Sequence, residues 1–397
     1  MQIATVAEFA ETVLTRIRDA TIAPLSSKQL QRRFTRQEVA ELVGRSRNYL
    51  AKIEPELIES GVLSEITEKG AARFEVRHVR ELQDHFGTRP WRNSELDEAL
   101  VLAVSSLKGG VAKTTLTTHV AQHLACKGYR VLIVDMDNQA SATATFGIIP
   151  DLEVKEDDTV LPFFEGREES LNYAIQETYW PGLDLIPTNL TAFNIEWSLA
   201  AELMEGGTDT RDELLSLLKD GIDTVKDRYD VVIIDCPPNL GTTSMNIFRA
   251  ADALLIPTPA KLLDFSSTVQ YLRMVDRYSD ELGLNEGYKF IKMATTLYEG
   301  RHYGDQPNQQ MKIRGIMQKI FGGMMLDAPF YKTSEIENAA ASMTTVLEDR
   351  RPQKKALDMI SRFCMEVEAE ILQTWPSKQK EAFEIKKSLK QYTDDTE

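Results

Sequence analysis

The segment Ser106-Leu107-Lys108-Gly109-Gly110-Val111-Ala112-Lys113-Thr114-Thr115 decides the reading of this 397-residue chain. It closes an apolar run, Val101–Leu107, and opens a helix-patterned stretch, Thr114–Lys127. A glycine-rich turn between strand and helix is where phosphate can be cradled. Gly109 and Gly110 permit positive φ and bring backbone N–H groups around anionic oxygens. The helix that follows points its positive end at the same place. Lys113 can neutralise β- and γ-phosphate charge, and the Thr114 hydroxyl can bind Mg²⁺, with Thr115 a further phosphate contact. The whole run Lys108, Gly109, Gly110, Val111, Ala112, Lys113, Thr114 and Thr115 is thus the candidate nucleotide loop. Leu107 and Ala112 occupy the two glycine positions of the ordinary G-x-x-x-x-G-K-[ST] pattern. The form that fits is K-G-G-x-x-K-[ST], in which Lys108 is a second lysine.

Working outward, short apolar runs alternate with helical stretches. Arg130–Asp137, Leu183–Thr188, Asp230–Pro238 and Asp252–Pro259 are rich in Val, Ile and Leu and nearly continuous. Such runs suit strands of a parallel sheet covered on both faces. The expected fold is α/β, a mostly parallel sheet flanked by helices. Two strand ends carry carboxylates: Asp135 and Asp137 in Val134-Asp135-Met136-Asp137-Asn138-Gln139, and Asp235 in Val232-Ile233-Ile234-Asp235-Cys236-Pro237-Pro238. Residues i and i+2 leave a strand on the same side, and ligands of open α/β sheets bind at this carboxyl edge.

These motifs, in this order, resemble the ParA/MinD family of deviant-Walker P-loop ATPases over roughly residues 100–375. The likeness is greatest to the larger plasmid partition ATPases that carry an N-terminal DNA-binding region. The resemblance implies a homodimer enclosing two ATP molecules, with ATP/ADP and Mg²⁺ as cofactors. Lys108 would cross to the partner's phosphates, and Asp137 would orient the attacking water. Asp235 would hold Mg²⁺ through water, and Asp135 would support the same shell. Asn239–Asn246 would sense the γ-phosphate, and adenine would lie near Pro257 and Asp264. The family usually has proline where Asn138 stands. Slow hydrolysis stimulated by a ParB-like centromere-binding protein would then segregate a plasmid or replicon.

Residues 28–52 hold seven basic side chains against Glu38 and Glu41, although the chain as a whole carries a net charge of −15. Thr35 and Glu38 form a capping box for one helix. Gly44 makes a turn, and Ser46 caps a second helix through Ile53. This pattern reads as a helix-turn-helix, with Arg45, Ser46, Arg47, Asn48 and Lys52 facing DNA. Gly61–Val76 is a candidate β-wing. The expected organisation is an N-terminal dimerisation helix (1–24), a mainly helical winged helix-turn-helix domain (25–88), a linker (89–99), the ATPase domain (100–375) and a charged tail (376–397). In such family members the N-terminal region binds operator DNA and represses the operon. Nonspecific DNA would be held by C-terminal basic residues: Arg314, Lys319, Arg351, Lys354 and Lys355.

Three isolated cysteines and the absence of a basic, apolar leader point to a cytoplasmic protein, and the resemblance implies that it is nucleoid-associated. The thin apolar face of the tail argues against membrane binding. Trp180, Trp197 and Trp375 read as core aromatics. Two rival readings remain. One is a nucleotide-responsive, sequence-specific repressor without a transport role. The other is a metabolic deviant-Walker enzyme, for which no substrate site is apparent.

Overall fold

The computed structural model describes residues 28–394 except 206–207, 240, 285–286, 301 and 304–305, together with Leu25 and isolated helical positions between Thr5 and Arg16. The expected dimerisation helix therefore lies mostly outside the described residues.

The strands include β1 (Phe34–Thr35), β2 (Ala72–Phe74), β3 (Leu100–Val104), β4 (Val131–Asp135), β5 (Gln176–Glu177), β6 (Leu183–Ile186), β7 (Val231–Asp235), β8 (Ala253–Pro259) and β9 (Phe290–Thr296). Seven of them form one sheet in the order β5-β6-β4-β7-β3-β8-β9. All pairs in it are parallel except β5 with β6. Side-chain alternation splits its core in two. Leu100, Leu102, Val131, Ile133, Val231 and Ile233 pack on one face. Val101, Ala103, Leu132, Val134, Val232 and Ile234 pack on the other. This is why the runs read as continuously apolar. β9 was not read from the sequence.

The N-terminal domain has its own core around Phe34, Val39, Leu50, Phe74 and Leu82. Helix α1 (Arg36–Leu42) begins with the expected Thr35–Glu38 capping box. Gly44 turns the chain at φ 64°. Helix α2 (Arg47–Glu59) is capped by Ser46 and runs past Pro55, beyond the expected end at Ile53. A β-wing within 61–76 does not form. Ser64 N–H instead donates to Glu81 at 2.9 Å, and β2 pairs with β1. Helix α3 (Val76–Phe86) completes the domain.

This domain grips the end of helix α4 (Lys113–Lys127). Gln83 donates to the Lys127 carbonyl at 2.6 Å, Arg80 to that of Tyr129 at 3.2 Å and Trp91 to that of Gly128 at 3.0 Å. Gly128 has φ 107°, and a Cβ there would meet Gln83 at 2.2 Å. The expected linker is no loose tether. Arg92 within it is buried and donates to the carbonyls of Tyr229, Asp97 and Asp227. Its polar composition, read as a linker, reflects these docking bonds.

Two further expectations change. The tail contains a helix, Gln379–Asp394, that buries Ala382 and pairs Lys386 with Glu370 at 2.9 Å, so the packed domain extends beyond 375. Trp180 and Trp375 are buried, but Trp197 is 68% exposed. It lies on the outer side of its helix, whose Ile195 and Leu199 face inward. No helix among the described residues is long and apolar enough to cross a membrane.

Truncating Arg92 strands three carbonyls and leaves a void. Arg92→Ala is expected to lower stability by about 2–4 kcal/mol, read as a shift in the urea-unfolding midpoint.

Candidate nucleotide site

The phosphate loop follows β3 and turns into α4. Gly110 has φ 70°, and Ala112, the N-cap of α4, is left-handed too at φ 75°. The alanine thus keeps the left-handed backbone that glycine holds in the ordinary motif, at a cost of about 1–2 kcal/mol. Thr296 at the end of β9 donates to the Val111 carbonyl at 2.9 Å and pins the loop. Lys113 is buried, and its amino group reaches back to the Lys108 carbonyl at 3.3 Å. Thr115 lies in the first turn of the same helix, half-buried.

Register sets Asp135 opposite Asp235 on adjacent strands β4 and β7. Thr114 Oγ1 donates to Asp235 Oδ2 at 2.7 Å and Thr117 Oγ1 to Oδ1 at 3.1 Å. Asp135 Oδ2 accepts from Thr143 N at 2.9 Å and Thr143 Oγ1 at 2.7 Å. Asp137 Oδ1 accepts from Gln139 N at 3.1 Å. Burial pushes all three carboxyls up. Asp235 rises to about 7, with the Thr114 hydroxyl pulling back and the charge of Asp137 adding to the rise. Asp135 rises well above the usual range, helped by Asp235. Asp137 also rises, partly offset by the Gln139 N–H and Lys113. Carboxylates that resist ionisation in this way are suited to a cation. No trio of His, Cys, Asp or Glu among the described residues encloses a metal. Thr114 and Asp235 offer a hydroxyl and a carboxylate instead, which fits Mg²⁺, an ion that keeps most of its waters.

Lys108 forms an ion pair with Asp264 of its own chain. With Pro257 these two line a cleft of about 10 Å³, which is too small for adenine in this conformation. The segment after Asp235 leads to helix α5 of the strand-to-helix series at Thr242–Ala250. Its first N–H groups are held by Glu196.

Arg45, Ser46, Arg47, Asn48 and Lys52 cluster at the exposed N-terminal end of α2. The Arg45 guanidinium lies 4.7 Å from the Phe86 ring, and Ser46 Oγ accepts from Tyr49 N. Lys319, Arg351, Lys354 and Lys355 are exposed. Arg314 is half-buried, bonded to the Asp327 carbonyl and 5.6 Å from the Tyr298 ring, so its charge is already engaged. Sequence reading missed Thr117, Thr143, Thr296 and Glu196. Thr117 alone carried a local signal, three residues after Thr114 on the same helix.

A strand-loop-helix cradle, its inner lysine and a threonine bonded to a strand-end aspartate define a P-loop nucleotide-binding protein. A family described as "AAA domain" matches residues 99–287. Protein SopA of Escherichia coli (strain K12) is 34% identical over 337 residues, covering 83% of this chain and 84% of SopA. A solved structure titled "Partition Protein" has a TM-score of 0.64 at 21% identity, covering 94% of this chain and 98% of that one. Cobyrinic acid a,c-diamide synthase from Mycobacterium smegmatis, solved with bound ADP and magnesium, has a TM-score of 0.54 at 26% identity, covering 68% and 94%. The chain belongs to the ParA/MinD-type family of plasmid and chromosome partition ATPases.

Two outcomes are expected. Ala112→Gly relieves the left-handed strain and raises the unfolding free energy by about 0.5–1 kcal/mol after the added chain entropy. A carboxyl whose folded pKa exceeds its unfolded value imposes little penalty at pH 4 and below; for Asp235 the penalty grows between about 4 and about 7 and is constant above. Asp235→Asn, without nucleotide, is therefore more stable than wild type at pH 8 by about 2–4 kcal/mol relative to the difference at pH 4. Denaturant titration at the two pH values measures it.

Proposed function

We propose that the chain is an ATP-hydrolysing, Mg²⁺-dependent switch that segregates a plasmid or other replicon with a ParB-like centromere-binding partner. ATP drives a homodimer, the dimer binds nonspecific DNA, and hydrolysis releases it. The protein is cytoplasmic and nucleoid-associated, and the N-terminal domain represses its own operon. The observation that carries this reading is the buried set of Asp135, Asp137 and Asp235 beside the phosphate loop, in a chain 34% identical to SopA over 337 residues.

Loop N–H groups and Lys113 bind the phosphates. Thr114 and Asp235 would hold Mg²⁺, which supplies charge neutralisation at the phosphate oxygens. Asp137 has one oxygen fixed by Gln139, and its carboxylate would orient the attacking water. Its raised pKa favours taking up a proton. Lys108, whose side chain is half exposed, leaves Asp264 to reach the partner's phosphates. Pro257 and Asp264 then border the base.

A repressor without transport is favoured by one feature, the exposed Arg45–Lys52 end of α2. The metabolic reading is weakened because the synthase aligns with 68% of the chain, whereas the partition protein aligns with 94%. Binding to a nonspecific duplex and to the DNA upstream of the gene, without nucleotide and with ADP, ATP or a nonhydrolysable analogue, separates the readings. Partition predicts nonspecific binding only with ATP or its analogue. That binding should weaken about 100-fold from 50 to 200 mM salt if about four phosphates are contacted. Tight upstream binding favoured by ADP, with no ATP-dependent nonspecific binding, selects the repressor. Asp137→Ala should still bind DNA with ATP yet fail to segregate plasmid.

A further inference from the structure

The helix Thr242–Ala250 is capped by a distant residue. Its N-cap is Gly241, which has no side chain to satisfy the first-turn N–H groups. Glu196 supplies both acceptors. Its Oε1 accepts from Thr242 N at 2.6 Å and its Oε2 from Thr243 N at 2.9 Å. A carboxylate at a helix N-terminus gains from charge-assisted bonding and from the helix dipole. A Cβ at position 241 would meet Glu196 Oε1 at 2.0 Å, so glycine is what admits the carboxylate.

The consequence lies upstream. Only residues 236–240 separate Asp235 from this capped turn. Ser244 Oγ also donates to the Asn239 carbonyl at 2.7 Å. Asp235 and the turn that Glu196 holds therefore lie close together along the chain. The helix bearing Glu196, Phe193–Glu205, is itself anchored by buried Ile195 and Leu199. It follows a loop in which Thr188 N donates to Thr143 Oγ1 at 3.1 Å. That same hydroxyl donates to Asp135. The loop before the helix is thus tied through Thr143 to Asp135, and the helix itself to the turn that follows Asp235.

We propose that Glu196 is a positioning residue for ATP hydrolysis. It holds the backbone at Thr242 and Thr243, inside the segment Asn239–Asn246 read as the γ-phosphate sensor, and so sets where that phosphate meets the turn. The inference rests on the reading of that segment as the nucleotide sensor.

The test compares wild type, Glu196→Ala and Glu196→Gln in full-length protein. The readouts are kcat, KM for ATP, thermal unfolding and tryptophan emission, with Trp197→Phe identifying the signal of the exposed neighbour. Glu196→Ala is expected to lose about tenfold in kcat with KM changed less than about twofold, and to lose the ATP-dependent Trp197 signal. Glu196→Gln keeps the length and one acceptor, so it should recover about a third of the turnover. If Glu196→Ala does not fold, Glu196→Gln with wild-type kcat and an unchanged Trp197 response overturns the proposal. So does a folded Glu196→Ala with wild-type kcat, or a fall in which kcat, KM and melting temperature move together and Gln restores nothing. A wild-type protein that hydrolyses no ATP defeats the underlying function instead.

Discussion

Asp135 and Asp235 stand side by side at the ends of neighbouring strands, in register and out of water. Two carboxylates so placed repel each other and lose their hydration, which raises their pKa values. The surrounding groups answer that cost. Three threonine hydroxyls, from Thr114, Thr117 and Thr143, bond to them. Two of those threonines lie on the helix that the phosphate loop opens. The sheet order sets β7 between β4 and β3, so the acidic pair and the loop share one edge. The loop's strained Ala112 and the tie from Thr296 serve the same edge. A cation such as the magnesium bound in the solved synthase would relieve that repulsion.

Much of the sheet was legible because its strands are buried on both faces, which leaves no polar positions to blur the pattern. β9 was missed because its first half is only partly buried and carries Lys292, whose amino group turns to Glu370 at 3.1 Å. The phosphate loop was legible because its chemistry is local in sequence. Ala112 departs from the motif in residue type, yet the backbone keeps the motif's conformation. Thr143 and Glu196 were illegible for the opposite reason. Their partners are chosen by tertiary packing, and Glu196 lies 46 residues from Thr242. Trp197 was misread because an aromatic is assigned to the core by type, while its exposure depends on which side of the helix faces the sheet. The polar stretch around Arg92 was misread because composition cannot distinguish groups solvated by water from groups bonded to carbonyls.

The N-terminal domain and the ATPase domain meet through side-chain donors and backbone acceptors more than through a shared apolar core. Lys28 illustrates the pattern: it reaches the Thr145 carbonyl at 2.8 Å, the Met343 carbonyl at 3.1 Å and Glu348 at 3.4 Å. Arg350 and Glu68 pair across the same junction at 2.6 Å. Bonds of this kind are directional, and they hold a particular orientation instead of a general adhesion.

The grip on α4 gives that orientation mechanical meaning. The helix is 15 residues long, about 22 Å of rod at 1.5 Å per residue. Its first turn is the floor of the phosphate loop, and the carbonyls at its far end are the handle held by Gln83, Arg80 and Trp91. A rod seated at both ends cannot tilt at one without moving the other. The same rod thus carries the phosphate loop at one end and, at the other, the bonds that seat the domain bearing Arg45–Lys52.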